Sequence, residues 1–374
     1  MNKNGLINQG NLNQIKAVMK KAKRGEDTVI AFLGGSITQG SLSTKQENCY
    51  ASLVHQWWVS KFPSAKITMI NAGIGGTTSQ FGVSRVKAHV LEYKPDFILT
   101  EFAVNDEDDE FFEETYEGLV RTILKDPNNP ALLLMNNAWF DSGKSAEKVH
   151  LTIAKHYDVP MVSMKATIWS AIKNGEINSK RISPDMLHPN DAGHRLVADV
   201  IIYTLEEIYN SLDESDINVT NELEIPDPIT PNAYENSVRI KNYNMNTNGN
   251  EVVLRGFKPD THTKSDFLDI YSGGFTASNV GDSILIEAEC TGLAVQYKKT
   301  INLPSPIAMA VIDNDESNPI VLDSNFDETW GDCLYIETAG RNLPYGKHSI
   351  RITITTTHED DKVPFYLVSV IASR

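Results

Sequence analysis

Five residues between positions 36 and 188 have the types that acyl transfer needs: Ser36, Gly76, Asn105, Asp185 and His188. Ester hydrolysis near neutral pH requires an activated nucleophile, a base, a group that orients the base, and donors for the developing oxyanion. Ser36 closes the run VIAFLGGS and precedes ITQG, so it stands where a strand gives way to a helix. A serine there either caps the helix or offers its hydroxyl as a nucleophile beside free helix N–H groups. Asp185 and His188 lie three apart in DMLH. On one turn of backbone the carboxylate can reach an imidazole N–H and fix the tautomer; the same spacing also suits a turn-capping aspartate and a histidine that merely precedes Pro189. Gly76, in NAGIGG, presents a backbone N–H with no side chain before it, or simply closes a tight turn. Asn105, in VND, can donate its amide to an oxyanion or bond its own turn.

Other chemistries find less support. GIGG lacks the spacing of a dinucleotide fingerprint, and GGSITQG lacks the Lys-Ser/Thr ending of a phosphate-binding loop. His55, His89, His150, His156 and His194 show no metal-ligand pattern and read as surface or helix residues. Cys49, Cys290 and Cys333 include no C-x-x-C pair. They are expected to be reduced core thiols, with a Cys290–Cys333 bridge as the alternative.

The candidate residues need a scaffold that brings them together. From residue 28 to about 212 short apolar runs (TVIAFL, KITMINAG, DFILTEFAV, ALLLMNN, PMVSM) alternate with helix-length segments. In ENCYASLVHQWWVSKF, Tyr50, Leu53, Val54 and Trp57 share a face; the last helix begins near Asp191 and carries Val197, Val200, Ile201, Leu205, Ile208 and Leu212 at helical spacing. This alternation predicts an α/β domain with a parallel sheet covered on both faces, whose functional residues gather at the strand C-terminal ends. Ser36, Gly76 and Asn105 each follow such a run, and His188 precedes the last helix. The N-terminal segment, with Leu12, Ile15, Val18 and Met19, predicts a surface helix.

Residues 1–212 therefore read as one domain and the acidic, proline-punctuated stretch 213–234 as a linker, with Pro226, Pro228 and Pro231. Beyond it the period becomes two. Ile350, Ile352 and Ile354 alternate with polar neighbours, and Ile284, Ile286, Ala288 and Cys290 share a face, so residues 235–374 predict an all-β sandwich.

With 374 residues, the chain is long enough for two cores. A formal net charge of −15 argues against nucleic acid or an anionic membrane as partner and is compatible with a neutral carbohydrate. No apolar run reaches membrane-spanning length, and no signal-type apolar core precedes the first basic cluster, so a cytoplasmic location is the default expectation.

The order GGSITQG, NAGIGG, VND, DMLH resembles the four blocks of the SGNH (GDSL-type) hydrolases, over roughly residues 28 to 210. The resemblance implies a flavodoxin-like α/β/α fold, Ser36 as nucleophile, an oxyanion hole of Ser36, Gly76 and Asn105, and Asp185 and His188 as the rest of a triad, with no metal or cofactor. Two departures stand out: Gly35 replaces the signature aspartate, and Ala103-Val104 precede Asn105. A hydrolase followed by a carbohydrate-binding-module-like sandwich is also similar to bacterial carbohydrate esterases, nearest in layout to acetyl-mannan esterases of gut Firmicutes. That likeness implies removal of acetyl groups from hemicellulose oligosaccharides, mannan-type ahead of xylan-type. Trp139 and Trp330 are then candidate substrate contacts, with a core role as the alternative for each. A lipase or thioesterase and a non-catalytic glycan-binding protein are the competing functions. Apolar residues of the sandwich suit domain docking or homodimerisation equally.

Overall fold

Unbroken apolar runs suit strands covered on both faces, and the first of two units, Met1–Asn232, is built on them. Strands β1 (Leu6–Asn8), β2 (Thr28–Gly34), β3 (Ile67–Gly73), β4 (Phe97–Glu101), β5 (Ala131–Asn136) and β6 (Met161–Ser163) form one sheet in the order β1-β6-β5-β4-β2-β3. Neighbours are parallel except β1, which runs antiparallel to β6. The five parallel strands follow the flavodoxin-like order, whose switch point lies between β2 and β4. Registers Gly34↔Gly73 and Gly34↔Glu101 end β3, β2 and β4 at one level, so the loops after them emerge side by side. The computed structural model describes residues 1–213, 225–247, 249–262 and 268–374.

The helices are α1 (Asn13–Lys23), α2 (Ser36–Gln39), α3 (Tyr50–Lys61), α4 (Ser79–His89), α5 (Glu110–Leu124), α6 (Glu147–His156), α7 (Ser170–Lys173) and α8 (Asp191–Asn210). Ile15 and Met19 of α1, Val54 and Trp58 of α3, and Val197 and Ile201 of α8 join Phe32, Phe97 and Leu133 in a single apolar core. Helices α4, α5 and α6 pack beside one another, and Ala31, Leu33, Ile98, Leu132 and Leu134 are buried too. Buried Arg85 of α4 donates to the carbonyls of Ala72 (2.7 Å) and Gly34 (3.0 Å), which ties the ends of β3 and β2.

Three details differ from the pattern in the sequence. Trp58 is fully buried although it lies off the predicted α3 face, while Leu53 is half-buried; α3 meets both the sheet and α8. The expected helical histidines are all on helices, but His89, His150 and His194 lie inside the protein. Of the stretch read as a linker, residues 214–224 lie outside the described residues. Residues 225–232 are tied to α5: Ile229 and Thr230 donate their N–H groups to buried Glu117 (2.8 and 2.9 Å), and Arg121 donates to the Pro226 carbonyl (2.7 Å).

The second unit, Ala233–Arg374, consists of antiparallel strands. One sheet holds β7 (Val238–Ile240), β9 (Lys258–Pro259), β10 (Phe275–Ala277), β12 (Gly292–Lys299), β15 (Cys333–Gly340) and β17 (Phe365–Ser373). The other holds β8 (Glu251–Arg255), β11 (Ser283–Cys290), β13 (Ile307–Ile312), β14 (Ile320–Asp323) and β16 (Gly346–Thr356). Registers Ile284↔Ile352 and Ile286↔Ile350 place the alternating isoleucines opposite one another in the core. Cys49, Cys290 and Cys333 are buried free thiols, and burial pushes Cys290 up to about 11.

Candidate active site

Ser36 is the first residue of α2, separated from the end of β2 by Gly35 alone, and the helix folds back so close that a Cβ at Gly34 would collide with Thr38 Oγ1 and lie 2.6 Å from the Glu101 carbonyl oxygen. Its Oγ lies 2.8 Å from His188 Nε2. His188 Nδ1 lies 2.7 Å from Asp185 Oδ2. A carboxylate only accepts, so Nδ1 carries the proton and Nε2 is left to accept from the serine hydroxyl. The DMLH turn holds Asp185 rigidly: its Oδ1 accepts the N–H groups of Leu187 (3.0 Å) and His188 (2.8 Å) and the hydroxyl of Ser183 (3.1 Å). Partial burial pushes the Asp185 carboxyl up, but the His188 ring and the N–H groups of Leu187 and His188 together hold it below the usual range. The structure thus brings Ser36, Asp185 and His188 into one hydrogen-bonded chain across 152 residues of sequence between Ser36 and His188.

The other two predicted residues converge on the same place. Gly76 sits in the loop between β3 and α4 with φ +68, where a side chain would be strained. In the same loop, a Cβ on Gly75 would lie 3.8 Å from the Ser36 Cβ. Asn105 follows β4, and its Nδ2 donates to the Thr77 carbonyl (2.8 Å). An amide nitrogen has two hydrogens, so a second donor remains. A Cβ at position 35 would come within 2.5 Å of Asn105 Nδ2. On this backbone an aspartate before Ser36 requires Asn105 to move, which accounts for Gly35.

Trp139 is half-buried, and its indole N–H donates to the Val104 carbonyl (3.4 Å). The next residue, Phe140, donates its N–H to Met186 of the DMLH turn (2.8 Å), so Trp139 adjoins both the Asn105 and the His188 loops. Trp330 belongs to the second unit, is 62% exposed and meets Phe326 edge to face at 5.0 Å. A core role for Trp330 is therefore excluded.

Several residues that support this site carried no sequence signal. Thr38 Oγ1 bonds the Tyr50 hydroxyl (2.8 Å), the Tyr50 N–H donates to His194 Nδ1 (3.3 Å), and His194 Nε2 faces the Ser41 carbonyl (3.1 Å). Burial lowers the His194 pKa, in keeping with a ring that must accept at Nδ1. Asp191, next to the Asn190 cap of α8, accepts from Thr44 and Asn48 and ties the loop after α2 to that helix. Glu101, Asp106 and His150 are buried close to Asn105 in the chain or through its neighbours. A buried histidine on a helix looks in sequence like any other.

The GDSL-like lipase/acylhydrolase family pattern matches residues 32–196, a span that holds all five residues. Across 99% of this chain and 98% of the other, a crystal structure of a two-domain esterase (CEX) active on acetylated mannans is 48% identical, with a TM-score of 0.93. The chain belongs to the GDSL-like lipase/acylhydrolase family. The same two-domain esterase co-crystallised with mannopentaose is similar to this GDSL-like hydrolase at 47% identity and TM-score 0.92, covering 99% of this chain and 97% of that one. Thioesterase 1/protease 1/lysophospholipase L1 of Escherichia coli K12 is 25% identical over 191 residues, which cover 49% of this chain and 86% of that protein.

Proposed function

We propose that this GDSL-like hydrolase is a serine esterase that removes O-acetyl groups from hemicellulose oligosaccharides, of mannan type ahead of xylan type. The observation that carries the chemistry is the unbroken chain from Ser36 Oγ through His188 to Asp185, at 2.8 and 2.7 Å. In this reading Ser36 Oγ attacks the acetyl carbonyl carbon while His188 Nε2 takes its proton. The N–H groups of Ser36 and Gly76 and the remaining Asn105 amide hydrogen receive the oxyanion, and Asp185 stabilises the imidazolium. Collapse breaks the bond to the sugar oxygen, which leaves with the proton from His188. Water, deprotonated by His188, then attacks the acetyl-serine; the bond to Ser36 Oγ breaks, Oγ takes the proton back from His188, and acetate leaves.

Likeness along nearly the whole chain to an esterase active on acetylated mannans supports the substrate class. The exposed Trp330 offers an aromatic face of the kind on which sugar rings stack, and a net charge of −15 suits a neutral substrate. Ser36→Ala should lower acetate release from acetylated mannan oligosaccharides by about six orders of magnitude, without loss of fold. Retention of a tenth of the turnover would reject Ser36 as the nucleophile, whereas a wild-type protein that binds the oligosaccharide and releases no acetate would favour a non-catalytic glycan binder. The partial likeness to a thioesterase is tested by nitrophenyl esters of increasing acyl length: this reading requires acetate to be preferred, and rising activity with length would favour an acyl-chain hydrolase.

A further inference from the structure

Beneath the candidate oxyanion donors lies a pair of ionisable side chains that the reaction does not use. Asp106 is 2% exposed and His150 is wholly buried. A carboxylate so deeply placed is tolerated only when its oxygens are bonded, and each of these has a partner on a different element. Oδ1 accepts the N–H of Ser79, at the start of α4 and three residues beyond Gly76 (2.9 Å). Oδ2 lies 3.1 Å from His150 Nε2, which must be the donor. His150 is held in turn: the ring stacks on Tyr116 of α5 at 3.6 Å and 9°, and Nδ1 lies 3.0 Å from the side-chain amide of Asn136 at the end of β5.

The Gly76 and Asn105 loops are therefore joined twice. Asn105 Nδ2 reaches Thr77, and Asp106 reaches Ser79. The N–H groups of Asn105 and Asp106 both donate to the Phe102 carbonyl (3.0 and 2.9 Å), so a shift of the Asp106 carboxylate is passed directly to Asn105. Ser79 is fastened further by its hydroxyl contact with Thr115 (2.6 Å). We infer that Asp106 and His150 are positioning residues that set the spacing of the two oxyanion-donor loops, and so act on turnover rather than on substrate binding. This rests on the proposed oxyanion role of Gly76 and Asn105. Donor placement matters because the oxyanion appears only at the transition state, and a misplacement near 1 Å costs up to about a hundredfold.

The test is steady-state kinetics on nitrophenyl acetate with the full chain, each variant checked for folding by circular dichroism. Asp106→Asn keeps an acceptor for Ser79 but loses the carboxylate; His150→Phe keeps the stacking but loses both ring nitrogens. Each should lower kcat roughly 10- to 100-fold with KM within about twofold. His150→Gln, whose amide can still donate to Asp106, should recover part of the loss and serves also if His150→Phe does not fold. In an Asn105→Ala background, Asp106→Asn should cost markedly less than in the wild type, because one of the donors it positions is already gone. Wild-type kcat in folded Asp106→Asn, and in His150→Phe where it folds, or a full repeat of the loss in the Asn105→Ala background, overturns the positioning role while leaving the oxyanion reading intact. A silent Asn105→Ala overturns both.

Discussion

His188 works as a base only while Nε2 is free to accept, and the Asp185 bond at Nδ1 ensures that the free nitrogen faces Ser36. Turnover should therefore fall as the pH drops and His188 takes a proton, and a pH–rate profile without an acid limb would contradict that role. Asp185 lies below the usual carboxylate range, so it stays ionised across that limb. Asn105→Ala removes one proposed oxyanion donor and should lower kcat by roughly two to three orders of magnitude, measured on the acetate ester. Glu101 gives a separate pH signature. Burial pushes its carboxyl from 4.5 to about 7, only partly offset by neighbouring Asn137 and the Ala103 N–H. The folded protein thus holds this proton more tightly than the unfolded chain, and the stabilisation present below 4.5 is lost as pH rises towards 7. The loss is about 3 kcal/mol. Glu101→Gln should accordingly raise the melting temperature relative to wild type near about pH 8 and make little difference near about pH 5. An equal shift at both would show that Glu101 does not titrate in this range.

At the scale of elements, the site depends on strand ends held level and on loops tied to helices. Arg85 fastens β2 to β3, and Asp191 fastens the loop after α2 to α8. Residues 225–232 extend this principle to a proline-rich segment that composition alone describes as a linker. Glu117 accepts two backbone N–H groups from it and the Tyr157 hydroxyl (2.6 Å) while fully buried. Glu117→Ala leaves those donors without a partner and should destabilise the protein by about 2–4 kcal/mol, as read from denaturant unfolding. Limited proteolysis should then cut within 225–232. A variant as stable and as resistant as wild type would mean that the segment contributes nothing to the first unit.

For the whole molecule, five residues proposed for chemistry lie in the first unit, whereas Trp330 lies in the second. Remote binding energy can raise turnover of a large substrate without touching the reacting bond. Because Trp330 is 62% exposed, Trp330→Ala should change stability by no more than about 0.5 kcal/mol. If the tryptophan stacks on sugar, activity on acetylated oligosaccharides falls while activity on nitrophenyl acetate stays constant. Equal activity on both would leave the sandwich without a part in substrate selection through this residue.

Much of this architecture was legible in the chain itself, since short-range rules govern it. The five apolar runs became β2 to β6, the alternating isoleucines became facing positions of β11 and β16, and the blocks around Ser36, Gly76, Asn105 and His188 fell at strand ends or before the last helix. β1 escaped notice because Leu6–Asn8 is too short to show a period; pairing with the edge of β6 makes it a strand. Trp58 is buried because α3 meets two neighbours, which a one-face pattern cannot express. The chain could nominate Ser36, Asp185 and His188 by type and spacing, but a hydrogen bond across 152 residues depends on strand order. Nor could it distinguish His150 from any other helical histidine, or Trp330 from a core tryptophan. Burial and partners belong to the packed fold, because they depend on what other segments bring to the same place.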